Sequence, residues 1–358
     1  MKRIGSIETK SGERMALYEA MADDKNIQIA YNKARKCKRY RKEVLIFTKD
    51  KEENLQKVRN DILRLTYEPS EYRYFKVYEP KERQIMALPF YDRVVQHAIN
   101  NVLEPIFDKR FICHSYACRK GKGMHAASDT LQAWLYGWNK YHPDEPLYAI
   151  KADIHHYFQS INHDVLKAEI RKVIKDAGTL TLVDCIIDHN GNMPDGVGIP
   201  VGNLTSQLFA NIYLNTLDQY VKHTLGAEHY IRYMDDFIIL SPDKEQLRSW
   251  LADIERFLRD ELQLELNPKT TILAAKNGID FVGYKHRATH RKVRRDSIKR
   301  IKKTVKHYEC GKITKEKLQK SIQSWTGHAG HADSYHLRQK IITLAKAAQA
   351  GIETQRAA

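Results

Sequence analysis

Cysteine is scarce and poorly placed for a cross-linked or metal-clamped scaffold. Cys37, Cys113, Cys118, Cys185 and Cys310 contain no C-x-x-C pair, and an odd number suits neither a disulfide framework nor a zinc ribbon, so a reducing cytoplasm is expected. Long hydrophobic runs are missing too. No stretch approaches the roughly 18 apolar residues that span a bilayer, and Met1-Lys2-Arg3-Ile4-Gly5 leads into polar sequence, so neither a membrane span nor a secretion signal is expected. There is no internal repeat and no low-complexity tract.

Acidic residues are the scarcer charge. Against 60 Lys and Arg stand 44 Asp and Glu, a formal charge of +16 with a pI near 9.4, which favours a polyanionic partner, nucleic acid above all, over a neutral small molecule. The excess is uneven: Arg291 to Lys306 holds nine Lys or Arg and one Asp, a concentration suited to tracking a phosphate backbone. With 42% hydrophobic residues in 358, the chain can bury a substantial core in two or three subdomains.

Residues 15 to 65 read as helices with basic faces, the densest cluster running from Lys33 to Lys42, and Leu55, Val58, Ile62 and Leu63 recur at helical spacing. Tyr72 to Tyr78 alternates like a strand, a helix runs from Arg93 to about Ile106, and Arg119-Lys120-Gly121-Lys122-Gly123 is a basic glycine-bearing loop. Leu147 to Ile154 reads as a mostly buried strand with Asp153 near its end, and a helix follows from about Asn162. Gly198 to Gln207 is a turn-rich loop feeding a long amphipathic helix that carries Ala210, Tyr213, Leu214, Leu217 and Val221. Another helix spans about Lys244 to Leu262, and a short strand pair ends at Phe281-Val282-Gly283-Tyr284. Beyond residue 288 the chain becomes basic and helical, with Trp325 to Asp333 read as the junction of two helices.

The most informative stretch is Tyr233-Met234-Asp235-Asp236. An apolar strand from Tyr230 runs into two adjacent carboxylates and leaves through Phe237 to Leu240, a hairpin with its charges at the tip. Like charges side by side among β-forming residues are costly unless a cation sits on them, and a pair of divalent metal ions is the obvious candidate. Asp153 lies 82 residues upstream, so the two carboxylate sites can converge on one face of a sheet. His155 and His156 have no Cys or His partner at zinc spacing, so packing or template contact suits them better than metal ligation.

Here the chain resembles the reverse transcriptases, over nearly its whole length. Lys151-Ala-Asp153-Ile-His-His-Tyr-Phe158 is similar to that family's first carboxylate motif and Tyr233-Met-Asp-Asp236 to its second, with the loop from Gly198 to Gln207 between them. Glu82-Arg83-Gln84-Ile85 through Pro89, Asp92-Arg93-Val-Val-Gln96, and Ser115-Tyr116 through Arg119 resemble the fingers motifs of the bacterial, group-II-intron-like branch. Leu266-Asn-Pro-Lys269 and Phe281-Val-Gly283-Tyr284 resemble the nucleotide-side lysine motif and the primer grip.

The resemblance implies an α+β right-hand polymerase: N-terminal region and fingers over 1–145, a palm with an antiparallel sheet over 146–287, and a helical thumb over 288–358. It implies two Mg²⁺ ions, with Mn²⁺ as a substitute, on Asp153, Ile154, Asp235 and Asp236. It also implies a deoxynucleotide site made by Arg83, Arg119, Phe158, Val201, Gly202 and Gln207, in which Phe158 is a steric gate against the ribose 2′-hydroxyl and the two arginines clamp the triphosphate. Lys269 is the expected proton donor to the leaving pyrophosphate. Partners are template RNA, the RNA/DNA hybrid and deoxynucleoside triphosphates, with no membrane. No RNase H, endonuclease or integrase segment is expected after the thumb.

The loop departs from the common family pattern Gln-Gly-x-x-x-Ser-Pro and reads Val201-Gly202-Asn-Leu-Thr-Ser206-Gln207. That departure is similar to the enzymes of diversity-generating retroelements, which copy a template-repeat RNA with errors opposite adenine, and it implies a basic oligomeric accessory protein in a bacterial or phage-encoded system. Two other readings share these residues: a defence-associated reverse transcriptase acting against phage, and a non-catalytic RNA-binding protein of the maturase kind. The intact Asp153, Asp235 and Asp236 argue against the last.

Overall fold

A computed structural model of the chain describes residues 3–8, 14–78 and 82–357. In chain order its elements are β1 (Ser6–Glu8), β2 (Arg14–Ala16), α1 (Leu17–Met21), α2 (Asp24–Ala34), α3 (Lys42–Lys49), α4 (Lys51–Leu63), β3 (Arg73–Val77), β4 (Arg83–Ala87), α5 (Phe90–Asp108) and α6 (Met124–Tyr141). These are followed by β5 (Tyr148–Asp153), α7 (Tyr157–Ser160), α8 (His163–Val173), α9 (Ala177–Asp188), α10 (Leu204–Gln219), β6 (His229–Tyr233), β7 (Asp236–Ser241) and α11 (Lys244–Leu262). The C-terminal part holds β8 (Thr271–Ala274), β9 (Ile279–Phe281), β10 (Tyr284–His286), β11 (Arg291–Val293), α12 (Arg295–Glu309), α13 (Lys315–Ala329) and α14 (Tyr335–Ala357). The chain divides into two compact units, each discontinuous in sequence: residues 1–118, 153–226 and 252–268 form the first, and 119–152, 227–251 and 269–358 the second.

The first unit is built on α5. Phe90, Val94, Val95, Ala98, Ile99, Leu103 and Phe107 make a continuous buried stripe, because apolar residues three and four apart share one helix face. Tyr31 and Phe47 close on Phe90 with ring centroids 5.0 to 6.1 Å apart. Helix α10 is buried nearly all round, from Thr205 to Leu217, as a core helix must be. The helix starts carry conventional caps: Asp23 accepts from Lys25 and Asn26 in α2, Asn162 from Val165 in α8, and Asp176 from Thr179 in α9. The β3–β4 hairpin is antiparallel, with Tyr74 opposite Met86 and Phe75 opposite Ile85.

The second unit carries two sheets. The four-stranded sheet has the order β6-β7-β5-β8, with β6–β7 and β5–β8 antiparallel. Its inner strands are near-continuous apolar runs, Phe237 to Leu240 being fully covered, as strands buried on both faces require. The smaller sheet is the antiparallel β9-β10-β11. Helices α12, α13 and α14 pack on one another through Ile301, Trp325, Ala329 and Ile341, and through Val305, Tyr308, Leu318 and Ala345.

Three expectations need correction. The basic cluster Lys33–Lys42 falls mostly in the turn between α2 and α3, where Cys37 adopts a left-handed φ of 60°, and mutual repulsion of so many cations favours such an open turn over a packed helix face. Residues 291–293 are strand rather than helix, because β11 completes the sheet on β10 before α12 begins. Trp325 to Ala329 belongs to α13, so His328 is a helical residue, and the helix junction is confined to the turn around His331.

Candidate active site

The expected hairpin is present, and the structure separates its two carboxylates. Tyr233 pairs with Asp236 across the ladder, so Asp236 opens β7 while Met234 and Asp235 form the turn itself. Met234 has φ of 57°, a left-handed conformation uncommon for a side chain of this size and of a kind that collects at functional sites. Both aspartates are half-buried. Inside the same hairpin, Arg232 is 0% exposed and its Nη1 donates to the carbonyl of Met234 at 2.7 Å. A permanently charged guanidinium is thus sealed beneath the turn that presents the carboxylates. Sequence reasoning missed Arg232; the signal was an arginine among otherwise apolar strand residues.

Asp153 ends β5 and belongs to the first unit, the division falling between it and Ala152. Asn267 holds it twice: the Asn267 N–H donates to the Asp153 carbonyl at 2.7 Å, and Asn267 Nδ2 donates to Asp153 Oδ2 at 3.2 Å. Ile154 bridges Leu266, and the N–H of His155 donates to the Glu265 carbonyl at 2.8 Å. The segment expected to serve through its lysine therefore also supplies an asparagine that orients the carboxylate. His156, with φ of 46°, turns the chain into α7. Among the described residues no group of three or more His, Cys, Asp or Glu is gathered in metal-holding geometry.

Phe158 lies half-buried in α7, and its carbonyl accepts from Ile199 at 2.8 Å while that of Ile161 accepts from Gly198 at 2.7 Å. The structure thus brings Phe158 against the loop that carries Val201 and Gly202. The Val201 carbonyl accepts from the N–H of Met86 in β4 at 3.3 Å. Gly202 has φ of +128°, and a Cβ there would meet the Met86 carbonyl oxygen at 2.7 Å. Glycine is required by that close approach and that dihedral together. Gln207 lies on the exposed face of α10.

Arg119 is half-buried at the start of the expected basic loop, where Gly121 and Gly123 both have positive φ. Lys269 is exposed before β8. Arg83 opens β4, and its side chain lies outside the described residues. The Phe281–Tyr284 stretch is a tight β9–β10 turn whose central residues, Val282 and Gly283, have φ of 40° and 91°. Val282 is a β-branched residue in a left-handed conformation, which stores about 1–3 kcal/mol.

Beside this turn, the Tyr284 hydroxyl meets His328 Nδ1 at 3.0 Å and His125 Nδ1 at 3.2 Å, and the His125 and His331 rings stack 3.6 Å apart. His286 is sealed beneath it, Nε2 on Ser128 Oγ at 2.7 Å, and burial pushes its pKa down to about 4. The exposed face of α12 carries Arg295, Lys299, Arg300, Lys302, Lys303 and Lys306, opposite buried Ile301 and Val305.

Several known proteins are similar to this chain over much of its length. Protein YkfC of Escherichia coli (strain K12) is 28% identical over 274 residues, covering 64% of this chain and 70% of that protein. The group II intron-encoded protein LtrA of Lactococcus lactis subsp. cremoris is 24% identical over 344 residues, 76% of this chain and 54% of LtrA. A solved structure of telomerase from Candida albicans with a telomeric RNA fragment resembles it with a TM-score of 0.47 at 12% identity, over 78% of this chain and 55% of that one. The chain thus spans about half the length of LtrA. A family model described as reverse transcriptase (RNA-dependent DNA polymerase) matches residues 76–286. The α+β arrangement of antiparallel sheets and helices is that of a right-hand polymerase. Since that match covers more than half of its length, the chain belongs to the reverse transcriptase family.

Proposed function

We propose that the chain extends a primer 3′ end with deoxynucleotides on an RNA template. The observation that carries the proposal is the hairpin that bears Asp235 in its turn and Asp236 at the first position of β7, beside the buried Arg232. Asp153, the Ile154 carbonyl, Asp235 and Asp236 hold two Mg²⁺ ions in this reading; every donor is a hard oxygen, the set that Mg²⁺ takes and Mn²⁺ tolerates. Bound there, such ions acidify the primer hydroxyl and neutralise the triphosphate charge. Asn267 keeps the Asp153 carboxylate oriented.

Arg83 and Arg119 grip the triphosphate, since a guanidinium binds phosphate through paired hydrogen bonds. Lys269 gives a proton to the departing pyrophosphate. Phe158 excludes the ribose 2′-hydroxyl, and Val201, Gly202 and Gln207 border the nascent base pair. Residues 1–145 serve as N-terminal region and fingers, 146–287 as palm, and 288–358 as a thumb whose basic α12 face follows the duplex phosphates.

The retroelement role rests on Val201. A glutamine amide at this position hydrogen-bonds the nucleotide, and losing a bond worth about 0.5–1.5 kcal/mol relaxes selection up to about tenfold. The work is cytoplasmic and needs a basic oligomeric accessory protein and a template-repeat RNA. RNA-templated primer extension with Mg²⁺ and each dNTP tests the activity: the native chain yields cDNA and Asp235→Ala at least about a thousandfold less. Undiminished synthesis by Asp235→Ala refutes it. Sequencing the cDNA tests the role: errors concentrate opposite template adenines and fall in Val201→Gln. An unchanged error spectrum in that variant removes the retroelement argument while leaving the polymerase.

A further inference from the structure

A closed circuit of hydrogen bonds in the first unit begins and ends on one face of α5. Asp92 Oδ1 accepts from the Ser70 N–H at 3.0 Å and from the Tyr67 hydroxyl at 2.9 Å. The Ser70 carbonyl accepts from His189 Nε2 at 2.9 Å, which assigns the proton to that nitrogen. The His189 carbonyl in turn accepts from the Tyr72 hydroxyl at 3.0 Å, and the two rings stack at 4.8 Å and 21°. That same hydroxyl accepts from Asn203 Nδ2 at 2.7 Å. The next residue, Leu204, donates its N–H to Gln96 Oε1 at 3.1 Å, and Gln96 stands one helical turn beyond Asp92. A single hydroxyl therefore ties together both ends of the segment from His189 to Asn203, which carries Val201 and Gly202.

Two features mark the circuit as more than incidental bonding. Asn203 is the N-cap of α10, yet its side chain caps nothing in its own helix. An N-cap asparagine ordinarily accepts from its own first turn, but here the amide goes to Tyr72 and Gln96 of α5 takes over the capping. Asp92, Gln96 and Asn203 are 0%, 1% and 4% exposed; the circuit satisfies Asp92 Oδ1 and Gln96 Oε1 and leaves Asp92 Oδ2 and Gln96 Nε2 without a hydrogen bond, so each bond that is made there counts against a burial cost only partly met. Burial raises the Tyr72 pKa well above that of an ordinary phenol, so the hydroxyl remains protonated and keeps donating to His189. Met86, opposite Tyr74 in the hairpin that Tyr72 enters, donates its N–H to the Val201 carbonyl at 3.3 Å.

We infer that Tyr72 is a positioning residue for nucleotide selection: its hydroxyl pins the 189–203 loop and so sets where Val201 and Gly202 meet the nascent pair. The inference rests on the polymerase reading above and adds to it a residue remote from the carboxylates. Tyr72→Phe removes only the hydroxyl and keeps the ring on His189 and in the small core with Met86 and Leu88.

The test measures single-nucleotide incorporation of matched and mismatched dNTPs by the native chain, Tyr72→Phe, Asn203→Ala and the double variant, beside amide hydrogen exchange across residues 198–204 and the melting temperature. The expected result is a two- to tenfold loss of discrimination in each single variant, carried by apparent dNTP affinity. The double variant should be no worse than the singles, and exchange should accelerate in the loop. Unchanged discrimination with a lowered melting temperature reduces Tyr72 to a structural role and overturns the inference, as do single effects that multiply in the double variant. If the native chain extends no primer, the polymerase reading fails separately. Hydrogen exchange then still decides: unchanged loop protection removes the pin, and accelerated exchange keeps the pin but removes its part in selection.

Discussion

The turns of the second unit and the loop of the first are held in opposite ways. The Met234–Asp235 turn closes a ladder of five paired positions, and Val282–Gly283 joins β9 to β10, which is paired on both sides. Backbone pairing holds Met234 and Val282 in left-handed conformations that their side chains disfavour. The 189–203 loop has no such ladder. It is fixed by side chains of α5 and the segment before β3, by the Met86 N–H of β4, by the Phe158 and Ile161 carbonyls, and by an isolated bridge of Val197 to Asn162 with His163 on the Gly196 and Gly198 carbonyls. Changing one side chain is therefore expected to disturb the loop more than either turn.

The largest effect that can sharpen this contrast is at Asp235. Asp235→Asn is expected to cost about a thousandfold in incorporation rate while leaving the melting temperature unchanged or raised, because it relieves like-charge repulsion at an intact turn. Rapid-quench kinetics and calorimetry on the same preparation check both halves. Acid is next. Burial depresses the folded-state pKa of His286 to about 4 from the ordinary 6.5, so its neutral form is favoured by folding. That contribution is fully present above pH 6.5 and lost as pH falls toward 4, at most about 3 kcal/mol. Denaturant titrations at pH 7.5 and 4.5, with His286→Asn as the control, should show that this variant has the flatter pH dependence.

Gly202→Ala should destabilise by about 1–3 kcal/mol and lower incorporation, since the new methyl group drives against the Met86 carbonyl at a positive φ; a folded variant of native activity contradicts the role given to that approach. The smallest effect is at Val282. Val282→Asn relieves the left-handed strain but gives up an apolar side chain that is 8% exposed, so the two offset and the denaturation midpoint should move by less than about 1 kcal/mol at an unchanged slope.

What was legible in the sequence follows the same division. The Asp235–Asp236 hairpin, α11 and the strand ending at Asp153 are written in local patterns, alternation or helical spacing interrupted by charge, and each lies where the pattern places it. Helix α6 went unread because its apolar stripe of Ala127, Leu131 and Leu135 is interrupted by exposed or half-exposed aromatics. Arg232 was marked only by being an arginine in an apolar strand, which does not by itself signal a metal centre, and Asn267 was invisible because its partner Asp153 lies 114 residues away and is brought to it by tertiary contact. The Tyr72 circuit joins positions 70, 72, 92, 96, 189, 203 and 204. No local pattern could have linked residues so far apart in the chain.

The proposed function requires that Asp153, Asp235 and Asp236 each contribute to binding a pair of divalent ions. Counting Mn²⁺ bound by the native chain on a primer–template with a matched but unreactive dNTP, by electron paramagnetic resonance, tests it without relying on turnover. The account predicts two ions per chain, with one or none in Asp153→Asn and in Asp235→Asn. Two ions retained by either variant at native affinity contradict it.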